Sequence, residues 1–184
     1  MDSPTLHLFA GCNGAGKTTF ARAYLSQFPS PPRFLNADEI ARGLSPLDPA
    51  SMAIKAGKLL LHEIEGCLSA GQSFGLESTL SGQGHVRLLQ RAKAFGFQIE
   101  IHFLWIPSPA LAIRRIAQRV RKGGHAIPSS DVHRRYSRSL ENFAHIYAPL
   151  VGTWLLWDNT AKPPRLLLHS GQATLNQLQS QLLP

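Results

Sequence analysis

Residues Gly11-Cys12-Asn13-Gly14-Ala15-Gly16-Lys17-Thr18 follow one pattern: a glycine, any four residues, then glycine, lysine and a hydroxyl side chain. Glycines at these places let the backbone turn so that successive amide N–H groups aim inward. A helix starting just after them adds a favourable potential for anions. The chemistry served is the grip on a triphosphate. Lys17 is the expected bridge between the β- and γ-phosphates, and the Thr18 hydroxyl the expected ligand of Mg²⁺. Gly11, Asn13, Gly14, Ala15, Gly16 and Thr19 complete the expected ATP-binding set.

Nucleotide binding does not define what receives the phosphoryl group. Transfer to a hydroxyl needs a carboxylate that accepts the departing proton and something to complete the metal's coordination. Two acids stand where they could serve, in Asn36-Ala37-Asp38-Glu39 and in Leu76-Glu77-Ser78-Thr79, each closing a short apolar run. Asn36 and Glu39 have the three-residue separation of a capping box, which gives Glu39 a structural role. That cap leaves Asp38 unexplained beyond a modest benefit from its place near a helix start, so Asp38 is the expected catalytic base. The strongest apolar run ends Trp105-Ile106-Pro107 without an acid. Glu77 is therefore one candidate for the metal's acidic partner; in the other arrangement Thr18, waters and phosphate hold the ion with Asp38 outside them.

These groups work together only if the chain brings distant segments to one edge. Apolar runs predict strands over residues 5–10, 33–36, 73–78, 97–106, 153–157 and 165–169. Helical spacing predicts helices over 17–28, 48–70, 84–95, 109–122, 130–147 and 174–182, with Asp48-Pro49 and Ser108-Pro109 as starts and Gly71 and Gly96 as stops. Strands alternating with helices predict an α/β, three-layer sandwich with a mostly parallel sheet of five or six strands. Ligands then collect at the carboxyl ends of the strands. Length predicts one domain over residues 1–184.

The chain carries 19 Lys and Arg against 11 Asp and Glu, a net charge of +8, which points to anionic partners. The excess is concentrated: Arg114, Arg115, Arg119, Arg121, Lys122, Arg134, Arg135 and Arg138 are opposed within their segment by Asp131 alone. A helical hairpin over 109–147, broken at Gly123-Gly124-His125, would fold as a lid and bring Arg119, Arg134 and Arg135 over the glycine loop as charge stabilisers. For most of the others a solvated helix face is expected. His125 is expected at the turn, within reach of an acceptor. Cys12 and Cys67 fit neither a disulfide framework nor a zinc module, and a reducing compartment suffices. His7, His102 and His169 sit in strand patterns as expected structural histidines, and no metal cluster is apparent. No apolar run approaches membrane-spanning length, and the first residues lack the regions of a signal peptide, so a cytoplasmic protein is expected.

Four segments together, Gly11 to Thr19, Leu35-Asn36-Ala37-Asp38-Glu39-Ile40, Glu77-Ser78-Thr79-Leu80-Ser81-Gly82, and Gly123-Gly124-His125-Ala126-Ile127-Pro128 through Arg134-Arg135-Tyr136, resemble the zeta toxin family of P-loop kinases. The compact branch, labelled zeta toxin domain or predicted ABC-type ATPase, is the nearest in length. The resemblance implies transfer from ATP to the sugar 3′-hydroxyl of UDP-N-acetylglucosamine and neutralisation by an antitoxin protein. It implies that Asp38 is the base, that Glu77 and Thr79 hold the acceptor, and that the arginines after the fourth strand clamp the γ-phosphate. In P-loop kinases the loop after the fifth strand meets the adenine, which falls on Asp158-Asn159-Thr160; an ordinary Asx turn is the equal alternative there. Ser78 replaces the glycine of the better-understood toxins and leaves room for another acceptor. Two other functions remain open: a nucleoside or polynucleotide kinase using the basic hairpin against a phosphate chain, and a non-catalytic ATP-binding regulatory module, which would need neither Asp38 nor Glu77.

Overall fold

A computed structural model describes residues 3–121, 123, 124 and 126–183. Six strands form one sheet: β1 (Thr5–Ala10), β2 (Arg33–Leu35), β3 (Phe74–Ser78), β4 (Gln98–Trp105), β5 (Thr153–Asp158) and β6 (Arg165–His169). Their order is β2-β3-β1-β4-β5-β6; the four pairings from β2 to β5 are parallel, and β6 closes the edge antiparallel to β5. β1 is central, which is why Leu6 to Ala10 are all buried rather than alternately exposed.

The helices are α1 (Lys17–Leu25), α2 (Ala37–Leu44), α3 (Ala53–Ser69), α4 (Val86–Ala94), α5 (Pro109–Val120), α6 (Ser129–Asn142), α7 (Ala148–Leu150) and α8 (Leu175–Leu182). The Ser108 start is capped as the sequence predicts, its hydroxyl accepting from Leu111 N at 3.3 Å, and at the start of α8 Thr174 and Gln177 form a reciprocal capping box. The helix expected over 48–70 is divided. Asp48 accepts from Ser51 N at 3.3 Å and opens a 3₁₀ turn, Pro49–Met52, before α3 begins. Its buried stripe is Ala56, Ile64, Cys67 and Leu68, while Leu59 lies exposed. The helix expected over 17–28 stops at Leu25, where Ser26 and Gln27 side chains both donate to Ala23 O. The helix expected over 130–147 is interrupted: α6 passes into a π-helix, Phe143–Tyr147, and then α7.

Side-chain alternation sorts the core. Leu6, Leu8 and Ala10 face α3, α4, the π-helix and α8 in one large cluster with Ile99, Ile101, Phe103, Trp154 and Leu156. On the opposite face Phe9 packs against Ala21 and Leu25 of α1. Cys12, Ala15, Leu104, Ile106, Ala112, Ile116 and Val132 form a third cluster that binds the glycine loop to α5 and α6. Each fully buried Leu or Phe contributes about 1.5–3 kcal/mol.

Candidate functional site

The glycine loop leaves β1 at the carboxyl edge and enters α1. Gly11, Gly14 and Gly16 all have positive φ, at 133°, 79° and 91°. At Gly14 the need for glycine is doubled, because a Cβ there would stand 2.7 Å from Ala112 O of α5. Lys17 is only 6% exposed. Its ammonium donates to Cys12 O at 3.1 Å and lies 3.6 Å from Glu77 Oε1. The same Cys12 carbonyl accepts from Ala15 N at 3.2 Å, which closes the loop on itself. Burial pushes the Cys12 thiol up to about 11 against the opposing pull of Lys17 and Arg115, so it stays protonated.

Glu77 joins three segments. It is the penultimate residue of β3 and pairs in register with Phe9 of β1, which sets it under the start of α1. Its Oε2 accepts from Thr18 Oγ1 at 2.7 Å and from Asn36 Nδ2 at 2.8 Å. Asn36 is the residue that sequence reasoning undervalued. Beyond capping α2 by accepting from Asp38 N at 2.9 Å and Glu39 N at 3.3 Å, it ties that helix start to Glu77. Asp38 stands exposed in the first turn of α2, and no hydrogen bond or ion pair of its carboxylate occurs among the described residues. Glu39 does not return to the cap; it pairs with Arg22 of α1 at 2.5 Å. Thr79 is half-buried, its hydroxyl 2.9 Å from Ser81 Oγ, and Thr19 is exposed. An open groove of about 420 Å³ beside β2 shares Asn36 with this site, but neither Lys17 nor Thr18 lines it.

Of the expected arginine cluster, Arg135 reaches the glycine loop, donating to Asn13 Oδ1 at 3.4 Å. Arg134 is exposed and held by Asp131 at 2.7 Å, one turn back on α6. Arg119 lies exposed near the end of α5, its carbonyl accepting from Gly124 N at 3.0 Å. His125 and Lys122 fall outside the described residues. Arg115 departs from the solvated face expected of most of these residues: it is half-buried and donates to Asn159 O at 2.8 Å and Thr160 O at 2.9 Å. The 158–160 segment is an Asx turn, with Thr160 N donating to Asp158 Oδ1 at 2.8 Å. It also locks onto the glycine loop, where Asn159 Nδ2 donates to Ala15 O at 2.6 Å. Only a fold could reveal either contact, since they join positions 44 to 144 residues apart.

A second polar cluster sits under the other end of α1. His7 of β1 pairs in register with Glu100 of β4, and His102 follows two residues on, facing the same way. Donor atoms of the three lie within 4.8 Å of one another, a metal-like spacing assembled from histidines that are scattered in the sequence. Hydrogen-bond chemistry opposes that use. Glu100 Oε1 accepts from Tyr24 OH at 2.8 Å and from His102 Nε2, while the Trp157 indole N–H, a donor only, points at His102 Nδ1 at 3.3 Å. The proton of His102 is thereby assigned to Nε2, which has no lone pair left for an ion. Burial lowers the pKa of His102, and the ring is neutral. Burial alone would raise Glu100, but the hydrogen bonds from His102 and Tyr24 and the close approach of His7 outweigh it and hold the carboxyl well below the usual range. His7 Nδ1 stands 3.5 Å from Glu100 Oε1, buried and without a hydrogen bond among the described residues, so the expectation of a satisfied histidine holds for His102 and not for His7.

A family model described as AAA domain matches residues 6–143, and the chain belongs to that family. An uncharacterized protein of Haemophilus influenzae is 30% identical over 128 residues, covering 70% of this chain and 89% of that protein. Among solved structures, a chain of the PezAT chromosomal toxin–antitoxin system of Streptococcus pneumoniae superposes with a TM-score of 0.76 at 17% identity, over 98% of this chain and 79% of that one. A chain of the AvrRxo1-ORF1 and ORF2 complex with ATP does so with a TM-score of 0.70 at 18% identity, over 98% and 63%. The fold is shared with these toxin–antitoxin and ATP-complex chains, and it is the α/β sandwich with a mostly parallel sheet that the sequence predicts. Among the described residues no helix is long and apolar enough to cross a membrane.

Proposed function

We propose that the protein is a phosphotransferase that moves the γ-phosphoryl group of ATP to a hydroxyl of a small anionic acceptor, a nucleotide sugar of the UDP-N-acetylglucosamine kind. The observation that carries this reading is the meeting of Lys17, Thr18 and Glu77 at the mouth of the glycine loop, with Asn36 joining the Asp38 helix start to the same carboxylate. Simple nucleotide storage requires no acid at that place.

The residues fit a magnesium ion: the Thr18 hydroxyl and the Glu77 carboxylate present hard oxygen atoms 2.7 Å apart beside the phosphate cradle. Bound there, the ion would neutralise charge between the β- and γ-phosphate oxygens. The division of labour between the acids then follows from placement. Glu77, engaged by Thr18, serves the metal side. Asp38, exposed and unengaged among the described residues, is free to take the acceptor's proton. Lys17 and Arg135 hold the transferring phosphoryl group, and the hairpin of α5 and α6 acts as a lid that adds Arg119 and Arg134 on closure. Arg115 and Asn159 fix the loop that receives the base. Thr79 and His125 belong to the acceptor side. The likeness to a toxin–antitoxin protein makes an antitoxin a partner in this reading, and the cytoplasm its setting.

The test is incubation of the protein with γ-labelled ATP, Mg²⁺ and a pool of nucleotide sugars, nucleosides and oligonucleotides, followed by identification of the labelled product. Label on a sugar hydroxyl, lost in Asp38→Asn while ATP binding persists, is the expected result. Label on an oligonucleotide end would replace the acceptor, and undiminished turnover by Asp38→Asn would remove the mechanism.

A further inference from the structure

The segment after β3 carries Thr79 and follows directly on Glu77, and its backbone is held in an unusual way. Leu80, buried at 1% exposure, has φ +52°, a left-handed conformation in which the Cβ of an ordinary residue crowds the following carbonyl. Three carbonyls around it each accept from one side chain of a single distant helical stretch. Ser139 Oγ donates to Thr79 O at 2.6 Å, Asn142 Nδ2 to Leu80 O at 2.7 Å, and Tyr147 OH to Gly82 O at 2.7 Å. Ser139 and Tyr147 are fully buried.

The π-helix accounts for how all three reach one target. At about 100° per residue, an uninterrupted α-helix would carry Tyr147 about 80° round from the side that bears Ser139. The wider winding of Phe143–Tyr147 turns Tyr147 back toward that side. Phe143, stacked on Phe103 at 4.2 Å between ring centres, pins the π-turn to the sheet. Earlier on α6, Tyr136 OH donates to Ile106 O at 2.9 Å and Arg135 reaches Asn13 at 3.4 Å. One helical bar thus touches the glycine loop, the exit of β4 and three carbonyls of the segment after β3.

We propose that Ser139, Asn142 and Tyr147 are positioning residues that latch the Thr79–Gly82 segment to α6 and its π-turn, so that the acceptor side is held in a fixed position relative to the arginine-bearing helix. The inference rests on the reading of that segment as the acceptor side. The latch itself is a statement about the segment's stability and can be tested separately. Tyr147→Phe and Ser139→Ala each remove one hydroxyl with little change of shape, and Asn142→Ala provides a third route should one of them fold poorly.

Amide hydrogen exchange on the full chain gives the first readout. Exchange over residues 79–83 should quicken at least tenfold in the variants, while exchange over 11–18 and the affinity for a fluorescent ATP analogue stay within twofold. The second readout is γ-phosphate transfer to UDP-N-acetylglucosamine, or to whichever acceptor the pool identifies: the acceptor's KM should rise at least fivefold with the KM for ATP unchanged. Unaltered exchange over 79–83 in all three variants, or loosening spread evenly over the sheet, overturns the latch whether or not the wild-type protein transfers phosphate. Absence of transfer by the wild type with a loosened segment in the variants removes the acceptor reading and leaves the latch standing.

Discussion

Helix α1 lies over two carboxylates, one near each end, and they have opposite surroundings. Glu77 meets Lys17, Thr18 and Asn36, all residues at the starts of helices, grouped at the carboxyl edge of the sheet. Glu100 is the third residue of β4 and meets the rings of Tyr24, His102 and His7, with Trp157 closing the chain of donors. Both side chains are largely buried, at 17% and 23% exposure. What separates them is whether their partners can be exchanged for a ligand. An ammonium, a hydroxyl and an amide at a loop mouth can turn to phosphate and metal, whereas rings packed between the sheet and α1 cannot leave. In the proposed reading one acid serves chemistry and the other architecture because of where each strand places it.

The contrast breaks most visibly at Lys17. Lys17→Ala should lower γ-phosphate transfer about 10²- to 10³-fold, as expected for loss of a charge clamp, in a single-turnover assay with labelled ATP. Glu100→Gln should do the reverse: transfer stays within threefold, while denaturant unfolding shows a loss of about 1–3 kcal/mol from a buried hydrogen-bonded group. A Glu100→Gln protein of full stability and poor turnover would erase the distinction.

Acid sharpens the comparison further. The pKa of His102 is lowered by burial, so above its ordinary value of 6.5 neither folded nor unfolded chain binds the proton and no stability is gained or lost. Below 6.5 the unfolded chain accepts a proton that the folded one refuses, and stability falls. Glu100, whose hydrogen bonds hold its pKa down, adds stability that is present above its ordinary 4.5 and is lost as the pH falls below it. Burial gives His85 the same sign as His102. Melting temperature should therefore be flat from pH 8 to 7 and decline from 6.5 to 4, with a shallower decline in His102→Gln. The smallest effect expected is at Arg115, whose two hydrogen bonds hold the 158–160 loop, the base-side loop of the proposed reading, from outside the glycine loop. Arg115→Ala should raise the KM for ATP about fivefold to tenfold, near 1–1.4 kcal/mol, with kcat nearly unchanged.

The same contrast marks what the sequence could disclose. The cradle was legible because its chemistry is local: three glycines, a lysine and a hydroxyl must follow one another, and a strand and helix must flank them. Glu77 was legible as the acid closing a strand beside it. The Asn36 bridge was half legible, since its capping spacing is local but its hold on Glu77 spans 41 residues. The Glu100 network was hidden, because His7 and Glu100 are neighbours only through the β1–β4 register. The partners of the arginines were not legible in detail: Asp131, one turn away, holds Arg134, and Arg115 reaches Asn159 across 44 residues, where a solvated face was expected for most of its neighbours. The division of the 48–70 helix and the π-turn after α6 follow from local capping and tertiary packing, which helical periodicity does not resolve.

The central claim is that the Glu77 end of α1 is where phosphate is transferred. Its most direct test is single-turnover transfer from γ-labelled ATP by Glu77→Gln, measured beside Glu100→Gln in the same Mg²⁺ buffer. The account predicts at least a hundredfold loss in the first and a change of no more than threefold in the second. Full transfer by Glu77→Gln, with magnesium dependence intact, would contradict it.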